Sequence, residues 1–207
     1  NADGSSAEMC GNGGRCVARY AYEKNITSDK MAFETTAGII KAEVKENYVR
    51  IKLTNPLNFQ KNIDIDFNGK IYRVDSLNTG VPHAIIYTSD IIDEDVLVIG
   101  KGIRSHAIFS PAGTNVDFVQ KQGPNELRIR TYERGIEDET LACGTGVVAS
   151  ALLASRAGMI KPPVSVQTQG GEVLKVDFKV TNEGEIFEDV FLEGSTKIVF
   201  EGTLVEV

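Results

Sequence analysis

Met9-Cys10-Gly11-Asn12-Gly13-Gly14 and Ala142-Cys143-Gly144-Thr145-Gly146 are two spellings of one device, a cysteine leading into a glycine-rich turn. The first is approached through the polar stretch Asn1 to Glu8, the second through Glu133 to Thr140. Each turn runs into helix-forming sequence, Arg15 to Tyr22 and Val147 to Arg156. A cysteine just ahead of a helix has its sulfur among unpaired backbone N–H groups at the positive end of the helix dipole. That setting favours thiolate over thiol. Two such thiols point to a pair that works on one substrate from opposite sides.

The likeness extends beyond the turns. Cys10 and Cys143 stand 133 positions apart, and 168 − 35 gives the same offset for Thr35-Thr36-Ala37-Gly38 against Thr168-Gln169-Gly170-Gly171. The alternating segment Val49 to Leu53 finds its counterpart near Val190 to Glu193, now at 190 − 49 = 141, so extra residues enter around Thr181 to Glu188. A unit this long reads as a duplicated domain, because solenoid repeats are far shorter. Hydrophobic periodicity and turn residues predict helices at 14–25, 93–103 and 146–157. They predict strands at 31–36, 38–45, 48–53, 70–75, 84–88, 115–120, 126–132, 164–168, 172–180, 188–193 and 196–206. Many strands with few helices, each after a turn, imply an α+β fold whose sheets curl around a helix.

Composition narrows the function classes. The 207 residues carry 22 basic and 29 acidic side chains, a net charge of −7, which argues against nonspecific nucleic-acid binding. The longest apolar run, Val147 to Ala154, is far short of a membrane span, and no signal peptide is visible. Three cysteines are too few and too odd for a disulfide scaffold, so a reducing cytoplasm is expected. No CxxC or HxxxH spacing suggests a metal, and neither turn continues into a nucleotide-phosphate motif. Cys16 reads as a small packing residue, His106 as structural, and the acidic run Asp90 to Asp95 as a solvated helix start. Because residue 1 is Asn and already lies inside a polar motif, an upstream portion of the natural chain is expected.

A matched pair of thiols suits inversion at a carbon centre, with a thiolate as base on one face and a thiol as acid on the other. Two helix N-termini converging on a neighbouring carboxylate would supply backbone donors where carbanion charge gathers. The residues thus point to proton abstraction and return at a carbon beside a carboxylate.

Four spaced motifs carry a family resemblance. Asn1 to Cys16 resembles the first signature of the diaminopimelate epimerases, and Tyr132 to Gly146 resembles the second. Thr79-Gly80-Val81-Pro82-His83 and Gly113-Thr114-Asn115-Val116-Asp117-Phe118 resemble the segments between. The resemblance implies a cofactor-independent enzyme that interconverts LL- and meso-diaminopimelate in lysine synthesis, as a homodimer. It implies two pseudo-symmetric domains, each a mixed β-barrel wrapped around a central helix, with the active site between them. The division expected is 1–56 with 196–207 as a partial first domain, and 57–195 as the second.

By the same resemblance Cys10 and Cys143 are the acid/base pair, the first drawn as donor and the second as acceptor, with His83 and Glu133 beside the reacting centre. Gly11, Asn12, Gly144 and Thr145 are backbone donors to a substrate carboxylate, and Asn1, Asn115, Glu133 and Arg134 read the second amino-acid head. Two departures stand out. Val81 occupies a position where the family commonly has Asn, and the loop Ile136-Glu137-Asp138-Glu139 is one residue longer than the usual spelling. If an N-terminal segment is truly absent, residues 1–207 alone are expected to turn over weakly or not at all. The alternatives left open are a proline- or hydroxyproline-type racemase of the same fold, and a thiol redox protein that uses Cys10 and Cys143 as a switch.

Overall fold

The structure, a computed structural model, describes residues 9–181 and 186–203. Helix α1 (Gly11–Glu23) is followed by an antiparallel meander of β1 (Lys30–Thr35), β2 (Gly38–Lys45) and β3 (Tyr48–Lys52). Far downstream, α3 (Gly144–Arg156) is followed by a second meander of β10 (Val164–Gln167), β11 (Val173–Thr181) and β12 (Ile186–Ser195). The helices begin 144 − 11 = 133 residues apart, the offset read from the sequence. Between the copies lie β4 (Leu57–Phe67), β5 (Lys70–Asn78), β6 (Pro82–Tyr87), α2 (Val96–Arg104), β7 (Asn115–Gly123), β8 (Glu126–Glu133) and the short β9 (Asp138–Thr140).

All strands among the described residues join one mixed sheet in the order β1-β2-β3-β12-β11-β10-β8-β7-β6-β5-β4, with β9 on β8. Pairing is antiparallel except at β6–β7 and β8–β10. The seam between β3 and β12 carries a pseudo-two-fold axis. β3 pairs with β12 so that Ile51 faces Leu192, and 192 − 51 = 141 is the offset of the strand repeat. Each member of that pair is therefore the other's counterpart, and the axis passes between them. The seam also links the segment 1–56 to the segment 57–195, so the two share a continuous hydrogen-bonded surface.

Burial follows the pleat. β2 buries Ile40, Ala42 and Val44, and β11 buries Leu174, Val176 and Phe178, alternating with residues of the outer face. α3 is apolar on every side, and each residue from Gly144 to Ala154 is buried, as expected for a helix at the centre of a wrapped sheet. It packs on β5, β6, β7, β8, β10, β11 and β12. Its counterpart α1 packs on β2, β3 and the start of α3, and buries only Gly11, Gly14, Arg15 and Ala18. Val17, Tyr20 and Tyr22 face outward, because among the described residues no strands stand over α1 as β5 to β8 stand over α3. A second, smaller core forms where α2 lies on β4, β7 and β8, around Ile65, Ile103, Phe118 and Tyr132.

Several elements differ from expectation. α1 begins at Gly11 rather than residue 14, so three glycines lie inside a helix, two of them, Gly11 and Gly14, at close contacts. β4 is a strand that the sequence reading did not anticipate. Most of its residues are exposed, and positive φ at Asn58 and Asn62 accompanies two register shifts against β5. It is a bulged edge strand, where alternation is erased because neither face is fully buried. β9 is equally unforeseen. The strand expected at 196–206 is absent from 196–203, whose backbone leaves the sheet after Thr196 donates to the Asn47 carbonyl at 2.7 Å. Cys16 is exposed on α1 and is not a packing residue. Asp95 caps α2 by accepting from the Val98 N–H at 3.1 Å, so the acidic run is a helix start.

Candidate active site

The two glycine-rich turns meet on the pseudo-two-fold axis. A Cβ on Gly11 would lie 2.9 Å from Leu192 Cδ2 and 3.2 Å from Gly144 Cα, and one on Gly144 would lie 3.1 Å from Gly11 Cα. Only glycine lets the helix N-termini touch backbone to backbone. Cys10 and Cys143 are the N-cap residues of these helices, both with extended backbone. The first-turn N–H groups of each helix have no partner within it, so two sets of donors open beside the two sulfurs.

The thiols are not equivalent. Cys10 is exposed, and its Sγ accepts from the Gly13 N–H at 3.3 Å. Cys143 is buried, with its Sγ 3.5 Å from Thr145 Oγ1. Burial, and then the carboxylates of Glu133 and Asp117, push the Cys143 thiol well above its usual range, and the Thr145 hydroxyl only partly offsets them. In this state Cys143 holds its proton.

β6 and β7 run parallel, which sets His83 beside Asn115 and places Asp117 two residues further along. His83 is fully buried, with Nδ1 2.7 Å from Asp117 Oδ2 and Nε2 3.0 Å from Thr145 Oγ1. The Thr145 carbonyl accepts from the Thr79 hydroxyl at 2.9 Å, tying the second turn to the Thr79–His83 segment. Asn115 is buried and spends its amide on backbone, donating to the Pro82 carbonyl at 3.2 Å and accepting from the Arg134 N–H at 2.8 Å. Arg134 is half-buried, with Nη1 3.3 Å from the Ala112 carbonyl. Glu133, also half-buried, accepts from the Thr140 hydroxyl at 2.8 Å. The longer loop is pinned by its extra carboxylates: Glu137 takes both Nε and Nη2 of Arg104, and Glu139 takes Nε and Nη2 of Arg130.

Of the residues expected at the site, Cys10, Gly11, Asn12, Gly144, Thr145 and Cys143 gather where the helices meet, with His83 joined to them through Thr145. Asn115, Glu133 and Arg134 form a second group at the end of β8, linked by the Asn115–Arg134 bond. Asn1 lies outside the described residues. Sequence reasoning missed Asp117 as a partner of His83. Both stand in motifs already singled out, and the signal was a single acidic residue within the apolar run Val116 to Val119. Asn12, the counterpart of Thr145, leaves its Oδ1 buried without a partner among the described residues. Among the same residues no group of His, Cys, Asp and Glu is arranged to hold a metal ion. No helix among them is long and apolar enough to cross a membrane.

Comparison with known proteins fits this geometry. The sequence profile described as diaminopimelate epimerase matches residues 1–56 and 76–197. The chain is 48% identical to the diaminopimelate epimerase of Aquifex aeolicus (strain VF5) over 210 aligned residues, covering 100% of this chain and 73% of that protein. It is 47% identical to that of Hydrogenobaculum sp. (strain Y04AAS1), covering 99% of this chain and 73% of that protein. Among solved structures, a probable proline racemase from Agrobacterium radiobacter K84 superposes with a TM-score of 0.72 at 16% identity, over 94% of this chain and 69% of that one. A hydroxyproline epimerase from Agrobacterium vitis superposes with a TM-score of 0.71 at 18% identity, over 91% of this chain and 64% of that one. At such identities these structures share the fold.

Proposed function

This chain belongs to the diaminopimelate epimerase family, and on that premise we propose that Cys10 and Cys143 perform the epimerisation as a two-base pair. The enzyme is an isomerase that interconverts the LL and meso forms of diaminopimelate, a step of lysine biosynthesis. The carrying observation is the contact of two cysteine-capped helix N-termini across Gly11 and Gly144.

The substrate α-carboxylate sits on the first-turn N–H groups of Gly11, Asn12, Gly144 and Thr145. Their donors stabilise the carbanion charge as it spreads onto that carboxylate. One thiolate removes the α-proton while the opposite thiol supplies a proton to the other face. Cys143, which burial and the neighbouring carboxylates hold protonated, donates in one direction of the reaction, and turnover exchanges the roles of the two thiols. Glu133 and Arg134 take the distal amino-acid head. Asn115 supports this reading as the brace that presents Arg134. The proposal also divides the chain into 1–56 with 196–207 as part of one lobe and 57–195 as the other, a division supported by the pairing of β3 with its repeat counterpart β12. A cytoplasmic homodimer accompanies the proposal, supported by three unpaired cysteines and by the apolar side chains exposed on α1.

The test is LL-diaminopimelate with the full-length enzyme in D2O. Deuterium should enter one α-carbon, and Cys10→Ala or Cys143→Ala should abolish epimerisation. Exchange with proline but not with diaminopimelate would transfer the chain to the racemase reading.

A further inference from the structure

The duplication breaks at one position in the turns. Thr145 stands in the second turn where Asn12 stands in the first (145 − 133 = 12), and it alone of the two is bonded to a buried network. Its hydroxyl lies 3.5 Å from Cys143 Sγ and 3.0 Å from His83 Nε2. His83 Nδ1 lies 2.7 Å from Asp117 Oδ2, and Asp117 Oδ1 accepts from the Thr131 hydroxyl at 2.7 Å. His83 and Asp117 are both 0% exposed. Room for this chain comes from Gly146: a Cβ there would lie 2.5 Å from Asp117 Oδ1 and 3.2 Å from His83 Cε1. No comparable network reaches Cys10 among the described residues.

Resting on the two-base reading above, we propose that the Thr145 hydroxyl carries protons between Cys143 and His83, and that Asp117 is the positioning residue that fixes the imidazole for it. With Cys143 as thiol, S–H donates to Thr145 Oγ1, the Thr145 O–H donates to Nε2, and Nδ1–H donates to Asp117. When Cys143 must act as a base, the thiol proton moves to Thr145 Oγ1 as the hydroxyl proton moves to Nε2. One S–H and one O–H bond break, and one O–H and one N–H bond form. The products are a thiolate, a hydroxyl now aimed at the sulfur, and an imidazolium beside the Asp117 carboxylate. Cys10, on the exposed side of the pair, takes from solvent the proton it must donate.

Electrostatics give the relay its purpose. The titratable groups that face Cys143 are Glu133 from β8, Asp117 from β7 and, through Thr145, His83 from β6. A buried thiolate between two carboxylates is costly without a cation nearby. Imidazolium formation places that cation two hydrogen bonds away, and Asp117 compensates it in turn. Thr131 occupies the other Asp117 oxygen, so the carboxylate cannot rotate out of position.

Two measurements on the full-length enzyme test this. Nitrogen-15 NMR reads the imidazoles, and comparison with His83→Gln assigns the His83 resonances. Neutral His83 should carry its proton on Nδ1 and lose that tautomer preference in Asp117→Asn. In kinetics, Thr145→Val should lower kcat by roughly 100-fold with little change in KM, the usual scale of general acid–base catalysis, and Thr145→Ser should restore most of it. Asp117→Asn should also shift the pH profile of kcat. A wild-type His83 protonated on Nε2 alone, or a folded Thr145→Val enzyme with wild-type kcat, overturns the relay. If the wild-type enzyme fails to turn over diaminopimelate, the two-base reading falls, and the tautomer measurement still decides the relay.

Discussion

Gly11→Ala tests the meeting point of the two repeats. Alanine fits the backbone there, since Gly11 is not among the positive-φ residues. In a helix the exchange should by itself gain at most about 1 kcal/mol. The added Cβ, however, would stand 2.9 Å from Leu192 Cδ2 and 3.2 Å from Gly144 Cα. Carbon atoms prefer about 3.5–4.0 Å, so the helix start or Leu192 must move by roughly half an ångström. Neither moves freely: Leu192 lies in the β3–β12 seam, and Gly144 begins the buried helix. Overpacking of this kind costs about 1–3 kcal/mol, which outweighs the propensity gain and leaves a net loss of about 1–2 kcal/mol. For a chain of this size that lowers Tm by roughly 2–8 °C in calorimetry. Gly13→Ala is the control, because its Cβ would meet nothing closer than Cys10 Cβ at 3.4 Å; it should be neutral or mildly stabilising. A Gly11→Ala protein that melts at or above the wild type, or a Gly13→Ala protein that loses as much, would refute the packing argument.

Three further outcomes follow from other parts of the molecule. Asp189 is held down to about 2 by its bonds to Lys179 and then Lys52. With a folded value below the unfolded one, near 4, its contribution is complete above about pH 4 and disappears as pH falls toward 2. Asp189→Asn should therefore flatten that part of the acid limb when urea midpoints are plotted against pH, and an unchanged limb would contradict it. Leu152→Ala, in the fully buried face of α3, should cost about 2–5 kcal/mol in urea denaturation, and a loss below about 1 would mean that the core collapses around it. Glu137→Gln weakens the grip of Arg104 on the loop that follows Arg134. A loss of about 1 kcal/mol in loop order should raise KM for diaminopimelate roughly fivefold and leave kcat nearly unchanged; a fall in kcat alone would place the loop elsewhere in the reaction.

How much of this was legible beforehand differs by feature. The duplication was, because a cysteine, its glycines and a tight turn keep their spacing when the rest of the repeat diverges. The α3 and β2–β3 assignments also held, since full burial and strict alternation leave strong patterns. β4 was illegible for the opposite reason: bulges at Asn58 and Asn62 and a mostly exposed run of residues remove the period on which strand reading depends. At the site, the doubled turn singled out the cysteines as candidates and the family resemblance added His83, but neither showed the bonds that connect His83 to Cys143. That Thr145 joins His83 to Cys143 depends on parallel pairing of β6 with β7 and on the space left at Gly146. Both are consequences of tertiary packing, with no local signature. The use of Asn115 as a backbone brace was equally hidden, because an amide looks the same in sequence whether it meets a ligand or a carbonyl.

The axis between Ile51 and Leu192 bears on stereochemistry as well as on architecture. A planar α-carbanion rotated by half a turn about its bond to the carboxylate presents its opposite face, while the carboxylate maps onto itself. A protein two-fold aligned with that bond can thus offer each face a thiol and a set of carboxylate donors. The same half-turn also exchanges the amino group with the side chain, and those two groups are chemically unlike. Perfect symmetry would leave the enzyme unable to tell them apart. Asn12 against Thr145 is one point beside the two thiols where this duplicate departs from its own symmetry.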